Sequence, residues 1–431
     1  MNKPLLNREY NDFIRAAKNR KVVLYDTGNV ESVINAVKDD VNIAYVMSDD
    51  FWKWNTQISG HSRLQYCSPH KLISDDDVVL ITTPYYAFAV EKRLKNLGVK
   101  DYFCYGLFSE NLQKSFKIGY ETKNIQGRMF ANNDTSNIVT ALSNNCNLLC
   151  PFCAYRYKKN QKMPDMPIEQ YVKLLDDCKG LWVHGKLIDT VSIDGSRELF
   201  VYPYYRQAVI ETHKRRFNIH LVTNGTLLTS ENSELLLENG LTKIIISVTG
   251  IRPQTYANYQ GYNQRKDNVD FAARQLEMVI DNVKEFVRLR NEMHSQCAVA
   301  VSYLIDTDTV SEIKDAVAFW HEVGIDFFFG KAVNHISDDG EIVEKRTNSV
   351  EPAPSGLCYH LAVSANGELH PCCGQGPGEK IILGNVFETP LSEIACSDLF
   401  NEFYENLALR DTKKMHPVCA LCPSSGIGRE K

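Results

Sequence analysis

Cys146-Asn147-Leu148-Leu149-Cys150-Pro151-Phe152-Cys153 follows almost directly on an apolar run, Asn137 to Ser143, that reads as a strand. The C-x3-C-x2-C spacing offers three thiolates to one metal site, one short of the four that close a structural zinc site. A [4Fe–4S] cluster held by three cysteines keeps one iron without a protein ligand, free to take a substrate or cofactor. Zinc sites usually show paired C-x2-C knuckles with four ligands, and no fourth Cys or His stands close by in the chain. Phe152 inside the run also suits an iron–sulfur loop.

Outward from this run, strand-like and helical patterns alternate. Candidate strands are Asn137 to Ser143, Asp189 to Asp194, Ile219 to Thr223, Lys243 to Val248, Cys297 to Leu304 and Asp326 to Phe329. Strand–helix units in series predict an α/β core, a partial, partly open TIM-like (β/α)6 barrel over residues 131–345. Active sites gather at the carboxyl ends of parallel strands, and the cysteine run follows the first of them.

Before it, residues 1–130 predict a small Rossmann-like α/β domain. Lys21 to Asp26, Val41 to Met47, Val78 to Thr82 and Asp101 to Tyr105 read as strands. Val30 to Val37 and Tyr86 to Leu97 read as helices, the second ended by Gly98. The first turn, Asp26-Thr27-Gly28-Asn29, lacks the G-x-G-x-x-G that lets backbone approach a pyrophosphate, so a dinucleotide is not signalled. A docking or substrate-recruiting role is expected there.

The chain has 431 residues, 44% hydrophobic and 23% charged, with a net charge of −5. That balance argues against a general nucleic-acid binder, which must neutralise many phosphates. The short basic run His213-Lys214-Arg215-Arg216 reads as a solvated helix end. No uninterrupted apolar run reaches the length of a membrane span, and the first residues form no apolar signal core. A cytoplasmic location is expected. Thirteen cysteines in a large chain of this kind favour thiolates on metal over disulfides. Cys67, Cys104, Cys178, Cys297, Cys373 and Cys396 lie outside cluster patterns and read as small buried hydrophobes.

The cysteine loop resembles that of the radical S-adenosylmethionine (radical SAM) superfamily. The resemblance implies that the open iron chelates S-adenosylmethionine and that the reduced cluster cleaves it to methionine and a 5′-deoxyadenosyl radical. That radical would take a hydrogen atom from the substrate, with the electron supplied by a donor such as flavodoxin or ferredoxin. Phe152, Ser196, Glu198, Asn224 and Ser247 are assigned to the cofactor on the same ground. Asp194-Gly195-Ser196-Arg197-Glu198-Leu199 stands where the family has Gly-Gly-Glu-Pro; the acid matches, while Ser196 and Arg197 replace the glycines and Leu199 the proline. Thr223-Asn224-Gly225 matches a frequent family turn, and Ser247 ends the fourth strand, with Thr249 in place of a familiar aspartate. No catalytic acid, base or hydrogen donor is legible.

Residues 346–431 resemble the SPASM/twitch extension of that superfamily. Gly367-x4-Cys372, Leu383-Gly384-Asn385-Val386 and Cys419-Ala420-Leu421-Cys422 carry the resemblance. With Cys358 the set Cys358, Cys372, Cys419 and Cys422 can fully ligate a second [4Fe–4S] cluster; four thiolates also suit zinc, but the position after the core favours iron–sulfur. No cysteine follows Cys422, which points to the short, twitch-like form with one auxiliary cluster. Cys373 competes with Cys372 for the assignment. The expected substrate is a carbohydrate-like small molecule, oxidised or rearranged. A peptide is the alternative, and a non-cleaving iron–sulfur scaffold protein the reading from another class.

Overall fold

The computed structural model describes the chain except residues 1–4, 6–7, 27–29, 49–54, 56, 59, 68–73, 75, 83–89, 92–93, 96–97, 109–116, 122–134, 151, 154–163, 184–185, 194–196, 261–268, 306–308, 333, 337–341, 346–360, 373–380, 410–412 and 421–431. The N-terminal stretch runs α1 (Tyr10–Ala17), β1 (Lys21–Asp26), α2 (Val30–Val37), β2 (Asn42–Ser48), β3 (Gln57–Ile58), β4 (His61–Cys67), β5 (Val78–Ile81), β6 (Asp101–Cys104) and β7 (Lys117–Glu121). The middle stretch runs β8 (Thr135–Thr140), α3 (Ile168–Cys178), β9 (Trp182–Val183), β10 (Lys186–Ser192), α4 (Tyr205–Lys214), β11 (Asn218–Thr223), α5 (Ser230–Glu238), β12 (Leu241–Ser247), α6 (Pro253–Tyr259), α7 (Val269–Glu292), β13 (Ala298–Ile305), α8 (Ile313–Val323), β14 (Phe327–Ala332), β15 (Asn334–Ile336) and β16 (Ile342–Lys345). The C-terminal stretch adds β17 (Leu361–Val363), β18 (Glu368–His370), β19 (Gly384–Asn385), α9 (Leu391–Ala395), α10 (Asp398–Leu409) and α11 (Pro417–Ala420).

Compactness divides the chain differently from the three stretches read in the sequence. One unit takes residues 1–126, 301–332 and 347–349, the other 127–300, 333–346 and 350–431. In the first unit the strand order is β3-β4-β2-β1-β5-β6, with β1 parallel to β2 and β5, β2 parallel to β4, and β5 parallel to β6. This is the doubly wound pattern expected of the region. Five of the six residues of β1 are buried, as a central parallel strand covered on both faces requires. Phe13, Val22, Leu24, Val33, Ile34, Leu80 and Phe103 share its core. The strands β3 and β4 were not read in the sequence, because His61-Ser62-Arg63-Leu64-Gln65-Tyr66-Cys67 is polar and only half-buried. Of the helix expected over Tyr86 to Leu97, the described residues Val90, Glu91, Leu94 and Lys95 are helical, and Gly98 (φ +79°) donates its N–H to Lys95 O (3.1 Å). The same unit holds β14, which pairs antiparallel with β7 from Phe327↔Glu121 to Lys331↔Lys117.

In the second unit the order is β19-β18-β17-β8-β10-β11-β12. The successive pairings β8–β10, β10–β11 and β11–β12 are parallel, so their carboxyl ends lie on one edge. β11 alternates half-buried and buried residues along Asn218-Ile219-His220-Leu221-Val222-Thr223, the period-2 signature of a strand with one face on a core. The helix after it starts at an N-cap, Thr229, whose hydroxyl accepts the Asn232 N–H. Along the chain the strand–helix series continues through β13, α8 and β14, and within the second unit the sheet is open, with β8 flanked by β17 and β10. Partial α/β barrel, Rossmann-like domain and C-terminal hairpin therefore stand as read.

Two details differ from expectation. In sequence Leu391 to Leu407 reads as one helix, whereas the structure has two, α9 and α10. The break falls at Cys396-Ser397, where the Ser397 hydroxyl accepts the Phe400 N–H (3.3 Å) and starts a new helix. Of the cysteines taken as buried hydrophobes, Cys104, Cys178 and Cys297 are buried, but Cys67 is half-buried and Cys396 exposed at that break. Cys373 lies outside the described residues.

Candidate functional site

The site is built where the strands of the second unit end. Past β8 the chain is tied down by Ser143, whose hydroxyl donates to Asp165 Oδ1 (2.6 Å) and accepts the Asn145 N–H (3.0 Å). Asn144 Nδ2 donates to Pro164 O (3.2 Å). The cysteine loop then closes on itself, with Cys153 N–H on Cys150 O (3.0 Å). Cys146 is exposed, Cys150 and Cys153 half-buried, and Phe152 half-buried between the last two of these cysteines.

The three thiols lie within one another's electrostatic reach. The Cys150 thiol is held far above its ordinary value, first by desolvation, then by the neighbouring sulfurs of Cys153 and Cys146. Cys146 is exposed as a residue, yet desolvation raises its thiol too, opposed by the Leu148 N–H and the Arg197 charge. Among the described residues no three His, Cys, Asp or Glu side chains are drawn together as ligands to one metal. The donor set itself fits an iron–sulfur cluster, because it supplies thiolates from a single loop and leaves one position of a four-iron cluster open.

Around the loop, the next strand ends supply polar contacts. Glu198, after β10, is 0% exposed, so it is a buried acid and not a surface one. Its carboxylate accepts the Thr223 hydroxyl on both oxygens (2.9 and 3.0 Å) and the Asn224 N–H on Oε2 (3.0 Å). Burial raises its pKa from 4.5 to about 7, partly offset by the Asn224 N–H and the Thr223 hydroxyl. Asn224 is half-buried and reaches the cysteine loop, donating Nδ2 to Asn147 Oδ1 (2.8 Å). Asn147 Nδ2 in turn donates to Thr226 Oγ1 (2.7 Å). At the end of β12 the Ser247 carbonyl accepts Gln260 Nε2 (3.2 Å), and the other end of that carboxamide faces Cys150, whose Sγ is 3.7 Å from Gln260 Oε1. Gln260 is 2% exposed. Ser196, with Asp194 and Gly195, lies outside the described residues.

Asn147, Thr226 and Gln260 carried no sequence signal. Gln260 stands 110 residues from Cys150, and only the fold pairs them. Other residues prove structural. Tyr202 donates its hydroxyl to Met166 O (2.6 Å) and Tyr205 to Asn232 Oδ1 (2.9 Å), so both hydroxyls are engaged within the fold. Within the basic run read as a solvated helix end, Arg215 is instead mostly buried and engaged by Asp176 (2.7 Å) and Glu211 (2.6 Å).

In the C-terminal region Cys372 follows β18 and Cys419 lies in α11, both half-buried, while Cys358 and Cys422 fall outside the described residues. Gly367 makes the hairpin before Cys372, at φ +84°, where a Cβ would come within 2.4 Å of Asn385 Oδ1 and 2.6 Å of the Phe387 ring. Tyr404 donates its hydroxyl to Pro371 O (3.0 Å), fixing α10 beside Cys372. Among the described residues no helix is long and apolar enough to cross a membrane.

A cysteine loop after the first strand of an open parallel core, with a cysteine-bearing hairpin region behind it, defines an iron–sulfur α/β protein. The chain carries a radical SAM domain and a SPASM domain: residues 140–319 match the model of the radical SAM superfamily, and residues 356–423 match that of an iron-sulfur cluster-binding domain, SPASM. These domains imply a [4Fe–4S] cluster, S-adenosylmethionine and auxiliary iron–sulfur. The chain is 25% identical over 309 residues to the antilisterial bacteriocin subtilosin biosynthesis protein AlbA of Bacillus subtilis, covering 66% of this chain and 64% of that one. It is 22% identical over 210 residues to the tungsten-containing aldehyde ferredoxin oxidoreductase cofactor-modifying protein of Pyrococcus furiosus, covering 47% of this chain and 54% of that one. The chain thus spans less than two thirds of either relative. Among solved structures, SuiB of Streptococcus suis bound to S-adenosylmethionine is similar at a TM-score of 0.48 and 17% identity, covering 68% of this chain and 72% of that one.

Proposed function

We propose that the protein is a radical SAM enzyme whose catalytic cluster sits on Cys146, Cys150 and Cys153. When bound and reduced, a [4Fe–4S] cluster supplies the one-electron cleavage of S-adenosylmethionine that releases a hydrogen-abstracting 5′-deoxyadenosyl radical. The observation that carries this reading is the three-thiol loop at the carboxyl end of β8, tied by side chains to the ends of β11 and β12. The protein's own part is to seat and orient. Glu198 holds the turn after β11 from a buried position, and Phe152, Ser196, Asn224 and Ser247 stand as the further cofactor residues. Cys358, Cys372, Cys419 and Cys422 would hold an auxiliary cluster without an open iron, which suits electron transfer better than substrate coordination. Residues 1–130, 131–345 and 346–431 serve as recruiting, catalytic and auxiliary regions.

For the substrate we favour a carbohydrate-like small molecule, oxidised or rearranged. Support comes from the doubly wound N-terminal sheet, whose strand ends carry the buried polar residues Asp26, Ser48 and Thr82; such ends commonly hold small molecules. A peptide is the second reading, favoured by the similarity to the Bacillus bacteriocin biosynthesis protein. Deuterated candidates of each class decide between them, through deuterium appearing in 5′-deoxyadenosine. The core reading is tested by changing Cys146, Cys150 and Cys153 together to Ala. Iron should fall from about eight to about four per chain, since each cluster holds four, and 5′-deoxyadenosine formation should stop. Cleavage that persists in this variant would overturn the assignment.

A further inference from the structure

We propose that Asn147 is a positioning residue, the loop-side half of a side-chain latch that sets the cysteine loop on the end of β11. This rests on the reading that the loop carries a cluster. The latch is a closed ring of three side chains. Asn147 Nδ2 donates to Thr226 Oγ1 (2.7 Å), Thr226 Oγ1 donates to Asn224 Oδ1 (2.5 Å), and Asn224 Nδ2 donates back to Asn147 Oδ1 (2.8 Å). Each member gives one hydrogen and accepts one, so the bonds run head to tail and polarise one another. A carboxamide at position 147 supplies donor and acceptor on one rigid plane, which neither a hydroxyl nor a carboxylate of that length does.

The far side of the ring is immobilised independently. The Thr226 N–H also binds Asn224 Oδ1 (2.9 Å), and Asn282 Nδ2 donates to the Gly225 carbonyl (2.9 Å). Gly225 itself is left-handed (φ +78°), with Val279 Cγ1 3.1 Å and Ile246 Cγ2 3.3 Å from where a Cβ would stand. The Asn224 N–H is fixed on buried Glu198. The near side has no such support from packing, because Asn145, Cys146 and Asn147 are all exposed. Hydrogen bonds must therefore hold this part of the loop, and Asn147, adjacent to Cys146, makes two of them. Rigidity built at the end of β11 is passed to the first two ligands, and with it the direction in which an open iron would face.

The test uses the full chain, reconstituted with iron and sulfide, in four forms: parent, Asn147→Ala, Asn224→Ala and the double variant. Iron release to a chelator is followed, together with the low-temperature spin-resonance signal of the reduced cluster with and without S-adenosylmethionine. Each single variant should lose iron from the three-cysteine site about tenfold faster, the scale of one or two lost hydrogen bonds. It should also give a broadened signal with S-adenosylmethionine. The double variant should be no worse than either single, as members of one unit are not additive. Asn147→Asp should fall between parent and Ala, because it still accepts from Asn224 and lets the Thr226 hydroxyl turn to donate. Parental iron release and an unchanged signal in Asn147→Ala would sink the latch, as would additive losses in the double variant. If the Cys146, Cys150 and Cys153 triple variant holds as much iron as the parent, the cluster reading fails and the latch with it.

Discussion

At the residue scale, Glu198 couples the site to pH. Its carboxyl is 0% exposed and its pKa is raised from 4.5 to about 7. Between those values the folded protein keeps a proton that the unfolded chain has released. This contribution therefore makes the metal-free protein less stable as pH rises from about 4.5 to about 7, and the full cost is present above that. The size is roughly 3 kcal/mol, taking 1.36 kcal/mol per pH unit. Glu198→Gln should flatten that part of the stability-against-pH curve, measured by denaturant midpoint on the metal-free protein; an unchanged slope would show that another group is responsible. The acid was legible from its place after the second strand, but its burial was not, since Ser196-Arg197-Glu198 reads as polar. The same limit hid Asn147, whose partner Asn224 is 77 residues away. Cysteines announce their chemistry by type and spacing; amides do so only through a partner that folding supplies.

At the scale of elements, the strand ends depend on close backbone approach. Gly250, three residues past β12, has φ +99°, and a Cβ there would lie 2.4 Å from Tyr256 N and 2.9 Å from Thr255 C, in the first turns of α6. Backbone cannot yield as a flexible side chain does. Gly250→Ala should therefore cost more than about 2 kcal/mol, combining left-handed strain with overpacking. Gly180→Ala is the control, because Gly180 has φ +75° with nothing within 4 Å of the added atom, so only the left-handed cost of about 1–2 kcal/mol applies. Equal losses in chemical denaturation would mean that the approach of α6 to Gly250 is soft. The core strands were legible because β10, β11 and β12 carry Leu, Ile and Val at strand spacing. The short β3, β9 and β19, each of two residues, were not, since pairing and not periodicity creates them.

At the scale of the whole molecule, the two cysteine regions can be separated by experiment. Changing Cys419 and Cys422 to Ser should lower iron from about eight to about four per chain and leave cleavage of S-adenosylmethionine in place, since the loop of Cys146, Cys150 and Cys153 is untouched. Loss of cleavage with the remaining iron intact would make the C-terminal region part of the catalytic seat. The order of domains was legible from the cysteine spacings, whereas the way compactness divides the chain was not. Among the described residues β7 (Lys117–Glu121) pairs with β14 (Phe327–Ala332). On the ribosome that separation becomes a delay: at about 5–20 residues per second, β14 emerges roughly 10–40 s after β7. During that interval the backbone of Lys117-Ile118-Gly119-Tyr120-Glu121 waits without its eventual neighbour, an open edge of the kind that invites pairing between chains.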